Sequence, residues 1–181
     1  MGKATQDLRN EHDAILHVLH IVDHVLASPL DREEERPFAC ELLDFLTIFA
    51  DKCHHGKEEF ILFPRMEQAG VPRKNGPIGA MLIEHDQARD LIKCLKVTVE
   101  EVDMEKFEKV LVAYSQLLRA HIEKENNILF PMADHLLDDA EQEKLFERFE
   151  EHEENVVGHG VHEKLHANIH NWEKQFGYKP V

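Results

Sequence analysis

The chain has 181 residues, 43% of them hydrophobic, which suits one domain with a buried core and excludes wholesale disorder. Its 36 acidic residues outweigh 21 basic ones, and the formal net charge of −15 repels phosphate backbones and anionic lipid, so neither nucleic acid nor membrane is an expected partner. Only 8 Gly and 7 Pro are present, too few for a turn-rich β-sandwich, and no apolar run approaches the roughly 18 residues of a spanning helix.

The N-terminal "MGKATQDLRNEHD" has no apolar stretch of the secretory kind, and Thr5 falls one place short of the myristoylation pattern. Cys40, Cys53 and Cys94 are odd in number, widely spaced and without CxxC. They predict neither a disulfide framework nor a thiol redox pair, and a cytoplasmic location is the simplest expectation. They read as small hydrophobes in helices.

Helical periodicity runs almost throughout. Residues 5–27 place Leu8, Ile15, Leu19, Val22 and Leu26 on one stripe, and residues 36–68 carry Leu43, Leu46, Ala50 and Ile61, starting near Pro37. The stretch "AGVPRKNGP" at 69–77 is a loop. A third helix over 78–101 aligns Ile78, Leu82, Ala88, Ile92, Leu95 and Val99. A fourth over 104–136, with Asp103 at its N-cap, aligns Phe107, Val110, Tyr114, Leu117, Ile128 and Met132. A more polar helix starts near 139, with a break at "GHG" 158–160. Four long helices on short links predict an all-α, up-down-up-down four-helix bundle over 1–138, with residues 139–181 as a helical extension packed on it.

The chain repeats itself. "NEHD" at 10–13 returns as "IEHD", and His54-xxx-Glu58-xxx-Leu62-Phe63-Pro64 returns as His121-xxx-Glu125-xxx-Leu129-Phe130-Pro131. A pseudo-twofold bundle follows, its two halves matched helix by helix.

The 14 histidines sharpen once the apolar stripes are traced. His12 interrupts the first stripe, His54 and Glu58 the second, His85 the third, and His121 and Glu125 the fourth. All four helices therefore aim polar groups at the core. His and Glu at i, i+4 share a helix face and reach one point. A buried carboxylate without a partner costs several kcal/mol, and two of them facing each other repel. Neither Glu58 nor Glu125 has a basic residue on its stripe. A pair of cations removes both costs. Mixed nitrogen and oxygen donors without thiolate favour iron, with manganese or zinc less suited; six donors exceed one tetrahedral zinc.

These residues resemble the hemerythrin-like (HHE cation-binding) family over about 5–136, on "NEHD", "HHGKEE" with "ILFP", "IEHD" and "HIEKEN" with "ILFP". The resemblance implies a four-helix bundle holding two iron ions as a non-haem, oxo- or hydroxo-bridged di-iron centre. His12, His54, Glu58, His85, His121 and Glu125 would be ligands, the two glutamates bridging. His55 and Glu59 share the spacing of His54 and Glu58, and the Leu-Phe-Pro repeat selects the latter pair. Oxygen-carrying hemerythrins have a second histidine four residues after the third-helix ligand. Here that position is Arg89, so one iron is expected to lack a ligand. His162, in "GHGVHEKLH", is the candidate for a further ligand or supporting group.

His17, His20 and His24 lie on another face of the first helix and suit a surface or subunit contact, a homodimer being the assembly considered. The acidic runs at 32–36 and 149–155 read as solvated helix faces. The leading functional expectation is a di-iron protein handling a small diatomic or peroxide for sensing, transfer or detoxification. Iron storage without turnover, and a peroxidase or ferroxidase, are the alternatives, so whether the chain is an enzyme stays open.

Overall fold

The computed structural model describes residues 1–28, 32–158 and 160–179; the side chains at 32, 33, 157, 162, 163 and 166 lie outside the described set. Among the described residues there are six helices and no strand. Helix α1 is Lys3–Ala27. Helix α2 runs over 32–68 and changes register along its length: Arg32–Asp44 is α-helical, Phe45–His55 and Glu58–Leu62 are π-helical, and Phe63–Gln68 returns to α. Gly70, at φ 101°, turns the chain out of it. Helix α3 is Pro77–Glu101, with proline in its first turn. Helix α4 combines Met104–Lys124, a π-helical turn Glu125–Leu129 and Phe130–Leu136. Asp103 caps it by accepting from the Lys106 amide at 3.1 Å. Helix α5, Asp139–His152, starts on a capping box between Asp138 and Glu141 and continues as the π-helical segment Glu153–Val157. Helix α6 is Val161–Phe176.

Helix α1 packs against α2 and α4, and α3 packs against the same two, which is the up-down-up-down bundle the stripes predicted. Helices α5 and α6 lie outside this ring against α1 and α2. Two apolar clusters fill the bundle. One holds Ile15, Phe45, Phe49, Leu95, Tyr114 and Leu118; the other holds Leu8, Leu62, Phe63, Ile78, Leu129 and Phe130. The His and Glu side chains form a buried polar layer between them.

The π turns explain where periodicity failed. A regular helix would carry the inward face of α4 from Glu125 to Ile128 and Met132. The extra residue in the turn Glu125–Leu129 moves that face by one position. Leu129, Phe130 and Ala133 are buried instead, and Ile128 is 54% exposed.

Two further expectations are corrected. His17 and His24 bind the chain's own C-terminal helix: His17 Nε2 donates to Glu173 Oε1 at 2.8 Å, and His24 Nε2 to the Phe176 carbonyl at 3.0 Å. The Tyr178 ring lies against both imidazoles. The 149–155 run is not simply solvated, because Phe149 is fully buried.

Candidate metal centre

Residues 53–58 of α2 are buried in an unbroken run. The helix is covered on more than one side, by α1, by α3 and by the end of α5. Within this run His54 faces His12 of α1, their rings 4.5 Å apart. His55 stacks on His85 of α3 at 3.9 Å. Glu58 lies between, with Oε1 3.7 Å from His54 Nε2 and Oε2 3.4 Å from His85 Nε2. From α4, Glu125 Oε2 is 3.2 Å from both His12 Nε2 and His121 Nε2.

Two donor groups result. His12, His54, Glu58 and Glu125 form one, and His55, Glu58, His85 and His121 the other; in each, ligand atoms lie within 4.8 Å of one another. Glu58 belongs to both. All seven side chains are buried.

Each imidazole is oriented by a partner on its far nitrogen. Nδ1 of His54 donates to Glu11 at 2.8 Å, Nδ1 of His85 to Glu59 at 2.6 Å, and Nδ1 of His121 to Glu84 at 2.9 Å. His12 Nδ1 donates to Asn126 Oδ1 at 2.9 Å, and His55 Nδ1 faces Asp51 at 3.4 Å. Carboxylates only accept, so these contacts fix the Nδ1–H tautomer and leave Nε2 lone pairs aimed inward.

That inward set is unsatisfied in a telling way. His85 Nε2 and His121 Nε2 are 3.1 Å apart, two lone pairs face to face unless a cation lies between or beside them. Nε2 of His12, His54 and His55 and all four oxygens of Glu58 and Glu125 are buried without a hydrogen-bond partner. Protons can stand in for cations here. Burial disfavours imidazolium at His85, yet Glu125, Glu58 and Glu59 push it up to about 11. His121 rises to about 9, with Glu125 and Glu84 outweighing burial. His55 goes the other way, held neutral by burial beside the other imidazoles. Seven converging nitrogen and oxygen donors with no thiolate fit two hard or borderline divalent ions. Cys53, the nearby thiol, points to Glu11 at 3.9 Å.

The internal repeat extends to the surrounding partners. Glu11 precedes His12 and accepts from His54; Glu84 precedes His85 and accepts from His121. Glu59 follows Glu58 and accepts from His85; Asn126 follows Glu125 and accepts from His12. Lys57 donates to Glu11 at 2.7 Å, and Lys124 donates to Glu84. Each half thus orients one histidine of its own second helix and one from the opposite half. Burial would raise Glu11, but the His54 hydrogen bond and the Lys57 ammonium hold it at about 2.

All six ligands expected from both the stripes and the repeat meet in this layer. His162 falls on α6, its side chain outside the described set. Sequence reasoning missed His55. The Leu-Phe-Pro repeat aligns Glu59, its partner at i+4, with Asn126, so symmetry selects His54 and Glu58, although the gap left by Arg89 was the signal to look for a substitute. Arg89 itself ties Asp51 and Glu59 together, at 2.8 Å to each. It thereby braces the partners of His55 and His85.

A family model described as Hemerythrin HHE cation binding domain matches residues 3–133. The iron-sulfur cluster repair protein YtfE of Escherichia coli O81 (strain ED1a) is 35% identical over 102 residues, 51% of this chain and 46% of that protein. The protein of the same name from Salmonella schwarzengrund (strain CVM19633) is 38% identical over 88 residues, 44% of this chain and 40% of that one. The chain therefore spans less than half the length of these curated relatives. No solved structure matches it. No helix among the described residues is long and apolar enough to cross a membrane.

Proposed function

Because the chain belongs to the hemerythrin HHE cation-binding family, we propose that its polar layer holds two non-haem iron ions and offers them to a small ligand such as O2, NO or peroxide. The observation that carries this reading is the set of inward-facing Nε2 and carboxylate atoms, buried and without hydrogen-bond partners. His12 and His54 hold one ion, His55, His85 and His121 the other, and Glu58 and Glu125 lie between them. His162 remains a candidate for supporting the centre from α6. Iron, when bound, supplies reversible ligand binding and electron exchange.

The chain's own residues set the terms. Five Nδ1 contacts hold the imidazoles in one orientation, so little reorganisation accompanies a change at the centre. The His12/His54 group holds two imidazoles and the other three, so the former is the position offered to a small ligand. Phe130 stacks on His12 at 5.2 Å and belongs to the apolar cluster below the layer. That wall limits water and excludes bulky substrates.

A second reading has its own support: the relatives are named for iron–sulfur cluster repair. In it, the centre stores or donates iron without turnover. Visible spectra of the anaerobically reduced protein, then with O2, NO or H2O2 added, separate these roles. A stable reversible O2 or NO band means carrier or sensor, and rapid peroxide turnover means an oxidoreductase. Spectral indifference, with iron passing to an apo iron–sulfur acceptor, means donation.

Loading should release protons. The metal-free layer keeps His85 and His121 protonated up to about 11 and about 9, and a ligating imidazole must give that proton up. Both folded-state values lie above the ordinary histidine range, so protons compete throughout the neutral region and apparent affinity rises with pH. Calorimetry of Fe(II) binding at pH 7 in buffers of different ionisation enthalpy is expected to give at least about two protons released per chain, since His12 is also raised by Glu125. Affinity independent of pH between 6 and 8 would count against imidazole ligation, a window set around the ordinary histidine value of about 6.5.

A further inference from the structure

The matched family segment ends at residue 133, so α5 lies beyond it, yet α5 reaches the turn of α2 that carries the ligands. Three contacts make the junction. His152 Nε2 donates to the Lys52 carbonyl at 2.9 Å. Glu153 Oε2 accepts from Lys57 Nζ at 3.3 Å, and the same ammonium donates to Glu11, whose other oxygen holds His54. Lys57 Nζ also lies 5.7 Å from the centre of the buried Phe149 ring.

The first contact depends on the π-helical register. In an α-helix the Gly56 amide would donate to the Lys52 carbonyl, four residues back. Here it donates to Asp51, five residues back, and to Cys53, while Lys52 accepts from His152. The His152 ring also occupies the space beside Gly56, where a Cβ would lie 2.5 Å from its Nε2. The register that brings both His54 and His55 into the layer is thus the register that offers α5 its landing place. The third donor cluster among the described residues, Glu11, Cys53 and Glu153, is not a further metal site, because Lys57 Nζ is already bonded to both of its carboxylates.

We propose that residues 139–157 are a positioning element of the metal centre, with His152 and Glu153 its positioning residues, so that docking of α5 and occupancy of the His12/His54 position reinforce each other. This rests on the two-ion reading above. Cations hold Glu58 in place; Glu58 is the neighbour of Lys57 along the chain; Lys57 holds Glu153. Removing the ions leaves Glu58 and Glu125 compensated only by protons on the facing imidazoles, the π register relaxes, and the His152 and Glu153 contacts loosen. A change at the metal is thereby passed to a surface helix, where it is available to a partner.

Hydrogen–deuterium exchange of the full chain, iron-loaded and chelated, tests this, with iron content measured on the same samples. Amides of 142–157 are expected to exchange at least about tenfold faster after chelation, while those around Trp172 in α6 stay unchanged. In reverse, Glu153→Gln and Lys57→Met should release one iron of two to a chelator about tenfold faster, and Lys57→Arg should restore retention. Gly56→Ala, which displaces His152 without touching a charge, should do the same if the lysine variants fold poorly. Two irons bound with α5 exchange indifferent to chelation would overturn the inference and leave the two-ion reading standing. A chain that takes up no iron would overturn both.

Discussion

Glu58→Ala is expected to leave fewer than one iron per chain. Glu58 is the residue common to both donor groups, and its oxygens lie within 3.4–3.7 Å of nitrogens on either side. Losing it strips a ligand from each position at once. The stability consequence is smaller than that of an ordinary core truncation. Buried groups usually cost stability when deleted, but this carboxylate has no hydrogen-bond partner and faces only the His85 imidazolium once the cations are gone. Its deletion relieves desolvation and repulsion from Glu125 while removing that one favourable partner, so metal-free Glu58→Ala should lose much less stability than an ordinary core truncation. The loaded parent is different. With free iron at about a thousand times its dissociation constant, binding adds about 4 kcal/mol. For a chain of this size that is a shift of roughly 8–16 °C in Tm. Thermal melts with and without chelator should show this shift in the parent and none in Glu58→Ala. A Glu58→Ala protein that keeps two irons and the chelator-dependent shift would refute the shared-ligand assignment.

The second large effect is at His55. His55→Ala should lower iron content from about two to about one per chain. His55 stands in the group with His85 and His121, whereas His12 and His54 remain intact with both glutamates. The retained ion should show the spectrum of the two-imidazole position. Glu59→Gln, by contrast, removes no inward-facing donor. Glu59 accepts from His85 Nδ1 and from Arg89, so that variant should keep both ions and shift only the His85 side. Equal iron content in His55→Ala and the parent would show that His55 is a bystander stacked on His85.

Much of this was visible in the chain itself, and the failures have physical causes. Apolar periodicity located four helices and the polar residues interrupting them, because burial across a bundle imposes a fixed spacing. It misplaced Ile128 because that spacing is constant only while the helix stays α. One added residue at Glu125–Leu129 rotates everything after it. The internal repeat paired His54 with His121 and Glu58 with Glu125, but set His55 aside because its partner Glu59 aligns with Asn126. The departure from symmetry is where the two halves differ in chemistry: three imidazoles meet on one side and two on the other. The outer partners were also in the repeat, as the glutamate of "NEHD" and "IEHD" and the residue after each of Glu58 and Glu125. They read as flanking acids because a hydrogen bond from a histidine two helices away leaves no local pattern. His152 and Glu153 lay in a run that looked solvated. Only the cover that α5 forms over Lys57 and Gly56 gives them a role, and that cover is a tertiary fact.

The most direct test of the account is iron stoichiometry joined to Mössbauer spectroscopy of the full chain loaded with ⁵⁷Fe under anaerobic conditions. Two irons per chain in two distinct environments, as unequal imidazole counts require, is the predicted result. Less than one iron per chain, with no loss of stability on chelation, would contradict the account.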